Sequence, residues 1–146
     1  KEVLNFFEGP PPEVNLFNEK NNGMLIQKLI QKKLLNSVHD ISSGGIIVAL
    51  FEMCTKGKIG AKIKVPQNSI DKYQYLFGED QSRYIIEIDK NYLKDVKKIL
   101  EKDNIYYDIM GSTQKNNLCI DNEFEIEISE LNHLNKMWFK NYFKNK

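Results

Sequence analysis

The sequence predicts an α/β domain, with helices layered on a mixed sheet as an α/β/α sandwich. Three observations predict it. Segments with apolar residues three and four apart alternate with short runs of two-residue alternation along most of the chain. Two strand-like runs follow each other before the last helix, which excludes a purely doubly wound parallel sheet. The chain has 146 residues, 41% of them hydrophobic and 28% charged, the size and balance of one domain with its own core.

Each element has its own signal. Gly9-Pro10-Pro11-Pro12 cannot enter a helix interior or a central strand, so residues 1–16 read as an extended lead-in and 17–146 as a single domain. Leu25, Ile26, Leu29, Ile30 and Leu34 recur at helical spacing and predict an amphipathic helix over 18–35. Residues 36–41 form a short extended piece. The run 46–55 is continuously apolar, a helix buried on most sides and closed by Gly57 and Gly60. Ala61-Lys62-Ile63-Lys64-Val65 alternates as a half-exposed strand that Pro66 ends. A short helix is expected over 69–77, a strand over 83–88 and a helix over 92–103. Strands are then expected at 105–110, 117–120 and 124–128. Ser129 reads as an N-cap for a final helix over 130–144, docked through Trp138, Phe139, Tyr142 and Phe143.

Composition excludes several function classes. Twenty-one basic and 20 acidic side chains leave a formal charge of +1, with no global field for nucleic acid or an anionic membrane. The longest apolar run falls far short of the roughly 20 residues a membrane helix needs. With no basic leader and apolar core at the start, the expected location is the cytoplasm. Lys1 is not an initiator methionine, so a fragment or a processed chain is expected. Cys54 and Cys119 lack metal-ligand spacing and read as buried, reduced thiols. Glu123, Glu125 and Glu127 alternate with apolar residues and form the wet face of a strand, and His133 stands alone on the surface.

Two segments can carry chemistry. The first runs His39-Asp40-Ile41-Ser42-Ser43-Gly44-Gly45: a strand end, a glycine turn and a helix start. Unpaired amides at a helix N-terminus suit a phosphate or carboxylate, so His39, Asp40, Ser42, Ser43, Gly44 and Gly45 are phosphate- or nucleotide-binding candidates. Ser42 or Ser43 can cap the helix, and His39 and Asp40 can orient one another. The same glycines equally suit tight helix packing. The second segment is Leu76-Phe77-Gly78-Glu79-Asp80-Gln81-Ser82-Arg83. Glu79, Asp80 and Gln81 suit a sugar hydroxyl, a metal-bound water or an amide, and Arg83 suits a carboxylate or phosphate. Its plainer reading is a solvated turn in which Arg83 pairs with Glu79. No residue qualifies as catalytic or as a metal ligand.

Taken together and in this order, the segments resemble the second C-terminal-type domain of phosphoribosylformylglycinamidine synthase, within the aminoimidazole ribonucleotide synthetase superfamily. His39 to Gly45 resembles its histidine-aspartate-x-serine-x-glycine-glycine motif, and Ala49-Leu50-Phe51-Glu52-Met53 the stretch that follows. Residues 9–16 resemble its glycine-x-proline-proline-x-valine-aspartate-leucine run. Glu19-Lys20 with Gly23 looks like the start of its next helix. Leu76 to Arg83 is similar to its leucine-phenylalanine-glycine-glutamate-x-x-x-arginine segment. Ile109 with Gly111, and Leu131 to Trp138, fit its later turn and closing helix. Asn15 stands where the family usually has aspartate, and Ser43 where an acid often precedes the double glycine. Both departures weaken the case for a ligand held at those places. The hydrogenase-maturation dehydratase, selenophosphate synthetase and thiamine-phosphate kinase carry related domains, but 9–16 and 77–83 look like the synthase in particular.

The resemblance implies one part of a C–N ligase that uses ATP and magnesium. The amide oxygen of formylglycinamide ribonucleotide is phosphorylated, and ammonia then gives the amidine, a step of purine biosynthesis. Ammonia would come from a glutaminase, fused or separate. The implied partners are the enzyme's own N-terminal domains and that glutaminase, with no nucleic acid and no membrane. The catalytic groups would lie upstream, leaving this domain inactive alone. The alternatives are a non-catalytic structural or auxiliary nucleotide-binding domain, and another synthetase of the superfamily.

Overall fold

A computed structural model describes residues 13–66 and 71–144. The element order is α1 (Leu16–Gln31), β1 (Ser37–Asp40), α2 (Gly45–Gly57), β2 (Gly60–Ile63), α3 (Lys72–Phe77), β3 (Tyr84–Glu87), α4 (Leu93–Lys102), β4 (Gly111–Gln114), β5 (Asn117–Ile120), β6 (Phe124–Glu127) and α5 (Ile128–Lys144). The triple proline lies outside the described residues.

Capping chemistry sets the bounds of α1. Asn15 is its N-cap, and the side chain accepts from the amides of Phe17 and Asn18 at 3.1 and 3.0 Å. Asparagine caps as well as aspartate, so the family departure at this position keeps the helix start. The helix therefore begins two residues before the expected Asn18. It also ends early, at Gln31, because Lys33 is left-handed (φ 55°). Leu34 N donates to Leu29 O and Lys33 N to Ile30 O, the paired bonds that close a Schellman turn. Leu34 and Leu35 still pack inward from beyond the helix.

The strands form two sheets. β1 and β3 make an antiparallel ribbon, with Ser37 opposite Glu87 and Asp40 opposite Tyr84. The other four run in the order β4-β2-β5-β6, and β2–β5 is the parallel pair that makes this sheet mixed. Period-two alternation gives the ribbon two apolar faces. Ile85 joins a core with Ile46, Leu50, Ile63, Leu118 and Ile120, while Ile86 packs against Leu25, Leu29, Val96 and Leu100. The ribbon is thus covered by α1 and α4 on one side and α2 on the other, and α2 also packs against the mixed sheet. The α/β class and its layering follow from this.

Several expectations are corrected. Residues 105–110 are not a strand, although rich in tyrosine and isoleucine. Ile105 and Tyr107 pack against the α1–α4 core, and the segment that reaches β2 for pairing is Gly111–Gln114. Side-chain propensity cannot create a ladder where no strand lies alongside. Ser129 does not precede the last helix, because α5 follows β6 directly at Ile128. Cys54 is buried, and burial pushes its thiol pKa up; Cys119 is only half-buried, and both thiols are free. Trp138, Phe139 and Phe143 are not buried against the domain but 58 to 65% exposed, and Tyr142 is 46% exposed. Glu123, Glu125, Glu127 and His133 lie on the surface as expected. Among the described residues, no helix is long and apolar enough to cross a membrane.

Candidate functional site

The two polar segments meet. β1 delivers Asp40 and Ile41 to the turn, after which Gly44 (φ 84°) and Gly45 (φ 71°) swing the chain into α2. These left-handed angles are ones that glycine adopts without the steric cost a Cβ would bring. Gly45 also lies directly against the end of α3. A Cβ there would come within 2.6 Å of Leu76 O and 2.7 Å of Phe77 Cα. Backbone therefore touches backbone where the first glycine turn meets the second segment.

Across that contact, Gly44 N–H donates to Glu79 Oε1 at 2.8 Å. An amide at the start of α2, a site suited to anions, thus holds a carboxylate of the chain itself. The helix has no acid in its first turn and no side-chain cap. Neither Ser42 nor Ser43 caps it; both are exposed, and Ser42 contributes its carbonyl to Gly45 N at 3.0 Å. The carboxylate that usual capping chemistry would place beside the helix start comes from 35 residues away.

Arg83 does not pair with Glu79. Its guanidinium donates to Asp80 Oδ2 at 2.9 Å, to Gly78 O at 3.3 Å and to Tyr75 O at 3.3 Å. The fork braces the α3–β3 turn from within, which is arginine's geometric strength. Gln81 is exposed. Ser82 is left-handed (φ 66°) and tied to α1, for Asn22 Nδ2 donates both to its carbonyl and to its hydroxyl at 2.9 Å.

His39 makes its bonds outside this contact. Nδ1 lies 2.6 Å from Asp40 O, and Nε2 lies 2.8 Å from Glu52 Oε2 on α2. Asp40 Oδ1 is a further 3.7 Å neighbour of Nδ1. Both ring nitrogens look at acceptors, an arrangement only imidazolium satisfies. Its pKa is raised above the ordinary 6.5, chiefly by the bond to the Asp40 carbonyl and further by Glu52, against an opposing contribution from burial.

The Gly44–Gly45 turn and the Gly78–Arg83 turn, both singled out as polar segments in the sequence, lie against each other. The sequence does not point to Glu52 as the partner of His39, or to Asn22 as the tether of Ser82; nothing local pairs Glu52 with His39. Asn22 lies 60 residues from Ser82, and no periodicity links the two. Among the described residues, no three His, Cys, Asp or Glu side chains converge into a metal cage.

Comparisons with known proteins bear on this geometry. A family model described as AIR synthase related protein, C-terminal domain, matches residues 1–118. The phosphoribosylformylglycinamidine synthase subunit PurL of Pelagibacter ubique (strain HTCC1062) is 48% identical over 145 residues, 99% of this chain and 20% of that protein. The same subunit from Rhodopseudomonas palustris (strain HaA2) is 34% identical over 146 residues, again 20% of its length. The chain thus spans about a fifth of the length of these curated relatives. In fold it is similar to Thermotoga maritima PurL complexed with FGAR, with a TM-score of 0.70 at 20% identity over 81% of this chain and 21% of that one. Thermotoga maritima PurL complexed with ATP and the PurLQS assembly give TM-scores of 0.65 and 0.69, each at 19% identity. These cover 77% and 87% of this chain, and 21% and 23% of those chains. With its family model matched over most of its length, the chain belongs to the AIR synthase related proteins as a C-terminal domain.

Proposed function

We propose that this domain is one part of a phosphoribosylformylglycinamidine synthase, in which it serves as a supporting rather than a reacting domain. The observation that carries the first half is the 48% identity running through 99% of the chain to a synthase subunit about five times its length. The whole enzyme would convert formylglycinamide ribonucleotide to the amidine in purine biosynthesis, using ATP, magnesium and glutamine-derived ammonia. Its partners would be the remaining domains of the same polypeptide and a glutaminase. The cytoplasm is the setting that chemistry calls for. Residues 17–146 act as one domain behind a lead-in segment.

The supporting role rests on where the polar groups go. Glu79 already lies on the Gly44 amide, and Asp80 with two carbonyls already surrounds Arg83. A phosphate at Ser42–Gly45 would have to displace a carboxylate, so His39, Asp40, Ser42, Ser43, Gly44 and Gly45 hold this turn in shape. Glu79, Asp80, Gln81 and Arg83 do the same for the facing turn. The full-length parent, supplied with ATP, magnesium and ammonia, tests the catalytic half: absence of amidine product defeats it. Arg83→Ala in that parent tests the supporting role, which fails if turnover collapses while the unfolding midpoint stays in place.

A further inference from the structure

Leu134, Trp138, Phe139 and Phe143 of α5 form an exposed apolar surface that the synthase reading does not use. The helix is anchored by its first turns, where Ile128 is buried in the α2 core and Leu131 packs against it. Beyond that most of its side chains are exposed. Leu134, Trp138, Phe139 and Phe143 are 55, 65, 62 and 58% exposed. Four-residue spacing stacks Leu134, Trp138 and Tyr142 in one row and Phe139 and Phe143 in the next. The rings touch mainly one another, Trp138 stacking on Tyr142 at 5.5 Å and Phe139 meeting Phe143 at 4.7 Å. Lys136, Lys140 and Lys144 form a third, exposed row beside them, and no carboxylate of the described residues pairs with any of the three.

Single exposed apolar side chains are ordinary, but a contiguous aromatic band rimmed by charge marks a contact surface. The family model stops at residue 118, before β6 and α5. The synthase subunits, by contrast, align through this helix. About four-fifths of such a subunit lies outside this chain.

We infer that the aromatic face of α5 docks into an apolar groove rimmed by acidic side chains on another part of the same polypeptide. Aromatic rings fill the groove and the lysine row meets the acidic rim, so one surface uses both features. The inference rests on the longer polypeptide of the proposed function and not on its chemistry. Failure of amidine formation would leave it standing.

The test uses the full-length parent subunit. Hydroxyl-radical footprinting compares the native and urea-unfolded protein, and carbodiimide links lysines to carboxylates they touch. Expected are loss of oxidation at Trp138, Phe139 and Phe143 on folding, unchanged on dilution, and links from Lys136 or Lys140 to acids outside these 146 residues of the same molecule. Equal oxidation of native and unfolded protein overturns the inference. So does protection that disappears as a dimer dilutes to monomer, which assigns the face to a second copy. Protection that appears only on adding vesicles or a separate subunit overturns it, as do links confined to this chain.

Discussion

Glu79 and Gly44, 35 residues apart, share a 2.8 Å hydrogen bond that closes the start of α2 with a carboxylate from the α3–β3 turn. The bond joins the two glycine turns and occupies an amide that a ligand anion would seek. It makes the region a joint between elements.

Removing that carboxylate separates the two roles. Glu79→Ala should lower stability by about 1 kcal/mol, the usual worth of a lost helix cap. It should also give weak, salt-sensitive binding of inorganic phosphate where the parent chain shows none, read by titration calorimetry. Phosphate bound equally by parent and variant would show that Glu79 does not guard the turn.

Two glycines should respond in opposite ways. Gly45→Ala meets both a positive φ and the backbone of Leu76 and Phe77. It should cost more than about 2 kcal/mol or prevent folding, since left-handed strain and a backbone clash add. Gly23, inside α1, has only Tyr84 Oη near, 3.8 Å from a built Cβ. Gly23→Ala should stabilise by about 0.5–1 kcal/mol through helix propensity. Urea unfolding of the two variants decides it.

His39 gives the chain a pH dependence with a definite sign. Its folded pKa is raised above 6.5, so protonated His39 contributes stability that is complete below that value and is lost as pH rises through the folded pKa. Compared with His39→Gln, the parent should be more stable at acidic pH, by no more than about 1 kcal/mol for a partly exposed pair. The difference should fade toward alkaline pH. Glu52→Gln should remove part of it. A parent advantage that grows with rising pH would contradict the assignment.

Arg83→Lys keeps the charge and loses the fork. One ammonium cannot reach Asp80, Gly78 and Tyr75 in the guanidinium's plane, so stability should drop by about 1–2 kcal/mol. In the full subunit, assayed well below its unfolding midpoint, the KM for ATP should stay unchanged. A raised KM would move Arg83 from brace to ligand contact.

The sequence by itself determined the α/β class and most of its elements. Helical spacing marked α1 and α4, continuous apolarity marked α2, and strict alternation marked β2 and β6, because each pattern depends on residues only a few positions apart. It also located both glycine turns, since a turn's chemistry is local. It placed a strand at 105–110, where composition favours one, but a strand exists only if a partner runs beside it, and β2 pairs with Gly111–Gln114 instead. Glu79 and Asp80 are adjacent acids of nearly equal chemistry, and nothing local says which meets Arg83 and which meets Gly44. Tertiary structure made that choice by seating Gly45 on the end of α3, which aims Glu79 at the α2 amide and leaves Asp80 to the guanidinium. The same holds for α5. Its pattern announced an apolar face, but burial belongs to whatever surface arrives opposite, and Trp138 stays 65% exposed.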